Sequence, residues 1–193
     1  GLLTDKIGGP SVFPPQPPGI WENSFAVHDT KDRWVVSEGP DRYRRGLYTF
    51  WRRTAPYPTS IIFDAPRREV CSTLRSRTNT PLQSLVTLND PVYIDAAHAL
   101  ANRIASAAED GVGPRIAYGF RLCTAREPDV VELDALMNLY ERVLARYNAD
   151  TENAGKFVSQ WGPSKDGENP ALIAAYTVLA NALLNLDETL TKG

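Results

Sequence analysis

Arg75-Ser76-Arg77-Thr78-Asn79-Thr80-Pro81-Leu82-Gln83-Ser84-Leu85-Val86-Thr87-Leu88-Asn89-Asp90-Pro91 carries the densest structural punctuation in the chain. Thr80-Pro81-Leu82-Gln83 has the spacing of a capping box. Thr80 is the N-cap, Pro81 stands at the first helical position where its missing N–H costs nothing, and Gln83 is placed to reach back to the cap. Asn89 or Asp90 followed by Pro91 repeats the device. The spacing predicts a first helix of roughly two turns and a second that begins almost at once.

The same punctuation recurs downstream at Glu127-Pro128 and Asn169-Pro170, with Gly113-Pro114 as a weaker version. Between these marks the apolar residues fall at helical spacing. Ile94, Ala97, Ala101, Ile104 and Ala108 form one stripe, and Val130, Leu133, Met137, Tyr140, Leu144 and Tyr147 another. A third segment, from Pro114 to Thr124, directs Ile116, Ala117, Phe120 and Cys123 toward a core. The last, from Pro170 to Leu186, is apolar nearly all round, which marks a centrally buried helix; it is too short and too interrupted by Thr177 and Asn181 to span a membrane. Residues 78–193 are thus expected to form a mainly α array of about five helices, with Pro81, Pro91, Pro128 and Pro170 each in the first turn of one.

Residues 1–66 differ in character. Nine of the 15 prolines fall there, with Trp21, Trp34 and Trp51, and helices do not run through such proline spacing. A disordered tail is poor in aromatics, whereas this segment holds Phe13, Phe25, Tyr43, Tyr48, Phe50, Tyr57 and Phe63 besides its tryptophans. It is expected to be an irregular wrap that pins aromatic anchors onto the helical body (67–193) of a single domain, with at most short strands near Arg33 to Val36 and Ile61 to Phe63.

At 193 residues and 42% hydrophobic, the chain is long enough for one sizeable core. Its net charge of -2 hides an asymmetry: residues 31–77 hold 11 Lys+Arg against 5 Asp+Glu, and residues 127–193 the reverse, 5 against 11. Either the two segments neutralise each other or a basic face meets an anionic partner. Two cysteines, Cys71 and Cys123, are compatible with a disulfide in an oxidising compartment and equally with buried free thiols. No stretch has the pattern of a signal peptide, a lipidation site or a membrane span, and the chain begins at Gly1 without methionine.

Catalytic constellations are weak. His28 and His98 lie outside any His-Glu-x-x-His or paired Cys-x-x-Cys pattern, and no Gly-x-Ser-x-Gly elbow occurs. His98 fits a structural histidine on a helix face. Asp64 and Glu69, flanking a Pro-Arg-Arg turn, are the carboxylate pair to weigh for glycoside chemistry, but neighbouring arginines lower a carboxylate pKa and so favour an ion pair over a general acid. The interleaved Arg42, Tyr43, Arg44, Arg45, Tyr48, Trp51, Arg52 and Arg53, followed by Arg67, Arg68, Arg75 and Arg77, mark the candidate binding surface. Guanidinium forks suit carboxylate or sulfate, and aromatic faces suit sugar rings. The acidic balance of the whole chain argues against nucleic acid. So many arginines also need counter-charges, and they are expected to act chiefly as internal clamps on carboxylates, Arg45, Arg68 and Arg77 among them.

The order Gly8-Gly9-Pro10-Ser11-Val12, Pro14-Pro15-Gln16-Pro17, Trp21-Glu22, Asp41 to Trp51, Arg53-Thr54-Ala55-Pro56, Phe63-Asp64-Ala65-Pro66, Arg68-Glu69, Cys71, Arg77 to Gln83, Leu88-Asn89-Asp90-Pro91 and Leu186-Asp187-Glu188 resembles the Planctomycete-specific C-terminal domain of unknown function found in large cytochrome c-containing proteins. The resemblance implies export to the periplasm or beyond, upstream domains as partners, and a role in handling complex polysaccharides alongside electron transfer; the arginine and aromatic surface adds anionic or sulfated polysaccharide as a candidate partner. It carries over no catalytic residue. The family domain normally begins with a further helical segment before the Gly-Gly-Pro-Ser-Val motif, so the chain resembles a C-terminal fragment. No Cys-x-x-Cys-His occurs, so no cofactor is expected in this chain and haem c is expected only in another domain of the parent.

Overall fold

The computed structural model describes residues 1–17, 19–23, 34–52, 55–66, 71, 73–74, 78–162 and 169–191. The helices are α1 (Ile20–Asn23), α2 (Pro58–Ile62), α3 (Pro81–Asn89), α4 (Pro91–Ala105), α5 (Val112–Thr124), α6 (Val130–Ala149), α7 (Thr151–Ser159), α8 (Pro170–Leu184) and α9 (Asp187–Leu190). Two compact units follow from the internal contacts: Leu2–Gln83, and Ser84–Gly193 with Gly1. None of the described helices is long and apolar enough to cross a membrane.

Caps explain where the helices of the second unit start. Asp90 accepts from Val92 N–H at 2.9 Å ahead of Pro91, and Asn169 accepts from Ala171 N–H at 3.0 Å ahead of Pro170. At α6 the cap is Asp129, whose carboxylate accepts from Glu132 N–H while Glu132 accepts from Asp129 N–H, both at 2.8 Å. Pro128 therefore lies before the cap and not in the first turn, and α5 starts at Val112, two residues ahead of Pro114. Helix α7 goes beyond the expected array. Its sequence is mostly polar, with Ala154 and Val158 alone fully buried, and Asp150 caps it by accepting from Asn153 N–H at 3.0 Å.

The core of this unit is built around α8, which packs on α4, α5, α6, α7 and α9. Ala171, Ile173, Ala174, Ala175, Tyr176, Leu179, Ala180 and Leu183 are buried on all its sides, as its unbroken apolar sequence requires. Ala97, Ala101 and Ile104 of α4 and Ile116, Phe120 and Cys123 of α5 join the same cluster. Gly119 admits the close approach of α4: a Cβ there would stand 2.5 Å from Ile104 Cδ1. The phenols of Tyr140 and Tyr176 meet with ring centroids 4.7 Å apart, and burial together with this neighbour raises the Tyr140 pKa above the ordinary phenol range.

His98, Thr177, Thr87 and Asn181 enter this interior with hydrogen-bond partners, whereas the buried Trp161 Nε1 has none among the described residues. The imidazole of His98 lies between Asn102 Nδ2 at 3.1 Å and Thr177 Oγ1 at 3.4 Å, a structural histidine as expected. Asn181 donates to the Thr87 carbonyl at 2.9 Å, and the Thr87 hydroxyl lies 2.5 Å from Asn185 Oδ1. Arg126 gathers Glu132 at 2.6 Å and Glu188 at 2.8 Å and lies over the Phe120 ring, fastening α9 to the α5–α6 turn.

The unit Leu2–Gln83 has its own aromatic core. Trp21, Trp34 and Tyr57 are buried together with Phe13, Phe50 and Ala55 packed on them. Phe13 stacks on Phe50 with centroids 4.9 Å apart, and Trp34 stacks on Tyr57 at 5.7 Å. Proline carbonyls answer the polar ends of these rings: Trp34 Nε1 donates to Pro14 O and Tyr57 Oη to Pro15 O, both at 2.8 Å. These aromatics thus pack on one another within their own unit. In keeping with at most short strands, no sheet forms among the described residues. Trp34 to Val36 is irregular, Ile61 and Ile62 end α2, and only isolated parallel bridges occur, Thr4 to Arg44 and Val12 to Thr49.

Candidate functional site

A cleft of about 440 Å³ opens in the unit Leu2–Gln83, lined by Asp5, Lys6, Ile7, Arg45, Leu47 and Tyr48. Two extended segments frame it. Thr4 N–H donates to Tyr43 O at 2.9 Å; further along, Val12 N–H donates to Tyr48 O and Phe50 N–H to Val12 O, both at 2.8 Å. Between these tie points the chains separate. Gly8 and Gly9 take φ of 78° and 95°, values that side chains resist, while Gly46–Tyr48 closes into a 3-10 turn.

Arg44 fixes this geometry. It is buried, 6% exposed, and donates from Nη2 to Lys6 O at 2.8 Å and Gly8 O at 2.6 Å. Its guanidinium lies 3.7 Å from the centroid of the Tyr48 ring, covering one face of a side chain that lines the cleft. The Tyr48 hydroxyl in turn accepts from Gly8 N–H at 3.0 Å. One arginine therefore holds both glycine turn and ring wall in place.

The cleft's charged groups are held loosely by comparison. Arg45 meets Asp5, and Lys6 meets Asp41, each through one contact of 3.3 Å between exposed side chains. Elsewhere the exposed pairs are tighter, 2.6 Å for Arg121 with Glu127 and for Lys156 with Glu152. Long exposed pairs of this kind contribute little and exchange partners readily. Chemically the cleft offers two exposed cations, one competing carboxylate, a phenol and two aliphatic side chains: a binding set for an organic anion.

The sequence-marked residues meet different fates. Arg44 and Arg45 come together at the cleft, with Arg44 as its support. Trp51 is half-buried, and Arg52 lies 5.8 Å from the centroid of the Trp21 ring, at the aromatic core. Asp64 accepts from Thr78 N–H at 2.8 Å and Thr78 Oγ1 at 2.7 Å. Thr78 and Ile62 O also receive the Gln83 amide, and Gln83 closes the expected capping box with Thr80 at 3.0 and 3.2 Å, so Asp64 belongs to a structural network at the α3 start. Glu69, Arg53, Arg67, Arg68, Arg75, Arg77 and His28 lie outside the described residues.

The clamp expectation needs correction at Arg45, while Arg68 and Arg77 lie outside the described residues. Arg45 is exposed, and the buried Arg44 is held by backbone carbonyls and a tyrosine face rather than a carboxylate. Cys71 and Cys123 are both free, Cys71 exposed and Cys123 buried, which removes the disulfide alternative. Sequence reasoning missed Asp5, Lys6, Ile7 and Leu47; the consecutive glycines Gly8-Gly9 were the available sign that the chain turns away there. Among the described residues no group of three or more His, Cys, Asp or Glu side chains gathers in a metal-binding arrangement.

A model of the PSD1 family, described as protein of unknown function (DUF1553), matches residues 1–140, a stretch that includes the whole cleft. No curated protein and no solved structure gives a significant match.

Proposed function

The chain belongs to this family of proteins of unknown function, and on that footing we propose that it is a non-catalytic interaction domain of a larger exported, cytochrome c-associated protein. It docks against upstream domains of that protein, in the periplasm or outside the cell, and haem c resides in another domain. The observation that supports this proposal is the engagement, among the described residues, of three polar side chains in the fold. Asp64 holds Thr78, His98 lies between Asn102 and Thr177, and Arg44 holds two carbonyls and a ring. Each stabilises a fold element.

The competing reading for the exposed Arg45 and Lys6 beside Tyr48 is contact with anionic or sulfated polysaccharide. Asp64→Asn in the parent protein separates interaction from catalysis. Asn keeps one acceptor for Thr78 and tolerates the φ of 57° at this position better than most residues, so the fold holds. The expected result is unchanged turnover, followed by haem reduction on a panel of neutral and sulfated polysaccharides. Deletion of this domain is expected to impair assembly or substrate retention. Turnover lost in Asp64→Asn with an unchanged melting temperature would sink the non-catalytic account.

A further inference from the structure

We propose that the cleft between residues 5–7 and 45–48 is a docking site for an acidic peptide segment that carries bulky apolar side chains. This deepens, and rests on, the interaction-domain function. Three observations converge on this partner chemistry. The first is the apolar lining: Ile7 is 91% and Leu47 75% exposed, and both line the cleft. Two large aliphatic side chains left in water on either side of a concave surface gain most by receiving another apolar side chain.

The second is charge. Lys6 and Arg45 outnumber Asp5 on the lining, and the guanidinium of Arg44 lies directly behind Tyr48. Asp5 and Asp41 occupy Arg45 and Lys6 through single 3.3 Å contacts, one oxygen each, which leaves most of the Arg45 fork unused. An incoming carboxylate that engages the fork through two bonds displaces Asp5 at small cost. Asp5 is thus a stand-in for the ligand's carboxylate.

The third concerns which anion fits. A sugar ring is gripped by a flat aromatic face, but here one face of Tyr48 is already covered by Arg44 at 3.7 Å and the remaining walls are aliphatic. Aliphatic walls with flanking cations match alternating apolar and acidic side chains of a peptide. The volume, about 440 Å³, falls in the range of roughly 300–1,000 Å³ usual for ligand sites and suits a short segment only.

The test uses the full chain and a fluorescein-labelled hexapeptide of alternating glutamate and leucine, read by fluorescence anisotropy, with near-ultraviolet circular dichroism confirming that each variant is folded. Saturable binding is expected. Arg45→Gln should weaken it about tenfold or more through loss of the charge-assisted fork, and Leu47→Asp by a similar factor. Asp5→Asn should tighten it, by roughly two- to fivefold, since it removes an exposed competing pair. A gain of this kind cannot come from damage to the fold. Peptides with glutamine for glutamate, or serine for leucine, should bind at least about tenfold more weakly.

Absence of saturable binding overturns the proposal, as does binding indifferent to Arg45→Gln and Leu47→Asp. So does a sulfated hexasaccharide that binds more tightly than the peptide and ignores Leu47→Asp, which would give the cleft to glycans. None of these outcomes touches the interaction-domain function itself, which fails instead if deletion of the domain leaves assembly and retention of the parent protein unaltered.

Discussion

Arg44 and Arg45 are neighbours in sequence with opposite fates, and the backbone explains why. Arg44 is extended, with φ and ψ of -77° and 157°, and Arg45 follows at -54° and 142° as the chain enters the Gly46–Tyr48 turn. Successive side chains of an extended chain point to opposite sides. One guanidinium therefore enters the unit and the other meets solvent. Loss of the inner one leaves Lys6 O and Gly8 O without their charged donor, so Arg44→Ala should destabilise the unit Leu2–Gln83 by about 2–4 kcal/mol. Arg44→Lys retains the charge but not the planar stack on Tyr48, and should cost about half as much. Urea unfolding followed by tryptophan fluorescence reads both, because Trp21 and Trp34 lie in that unit's core. An Arg44→Ala variant within about 0.5 kcal/mol of the parent chain would show that the clamp is dispensable.

At the scale of elements, what was legible follows from the range of the rule. Caps act over three residues, so Thr80-Pro81-Leu82-Gln83, Asp90-Pro91 and Asn169-Pro170 mark helix starts correctly from sequence alone. Glu127-Pro128 marked the right place but the wrong cap, because Asp129 with Glu132 makes the stronger box. Helix α3 shows the limit of periodicity. Its leucines at 82, 85 and 88 are exposed while Gln83 and Thr87 are buried, since hydrogen bonds and not apolar contacts fix its inner face. The cleft was illegible for the same reason in stronger form: it depends on residues 4–12 meeting residues 43–50, a pairing no local pattern encodes.

The α5–α6 turn carries a pH dependence. The hydrogen bond from Arg126, aided by the Asp129 N–H, lowers the Glu132 pKa from 4.5 to about 2. A carboxylate whose pKa is depressed by folding adds stability that is fully present above pH about 4.5 and is lost as the pH falls toward about 2. The cluster is exposed, so added salt should shrink the effect. Thermal melts followed by helical circular dichroism should show Glu132→Gln slightly less stable than the parent chain at neutral pH. The two melting temperatures should then converge as the pH falls to about 2. A gap that stays constant across that range would mean that Glu132 is not linked to folding through its charge.

At the scale of the whole molecule, the chain divides its labour between two kinds of interior. The unit Ser84–Gly193 buries aliphatic and alanine side chains around α8, whereas Leu2–Gln83 gathers aromatic rings and proline carbonyls. The first was legible because helical periodicity advertises a core; the second was legible only as composition, since the partners of Phe13, Trp34 and Tyr57 are scattered along the chain. The aromatic unit places Ile7, Leu47, Lys6 and Arg45 around one cleft, the docking site proposed above. Amide hydrogen exchange of the full chain, with and without the glutamate–leucine hexapeptide, tests that claim most directly. The expected result is slower exchange in residues 4–8 and 44–49 with α4, α6 and α8 unchanged. Protection centred anywhere else, or none at saturating peptide, would contradict it.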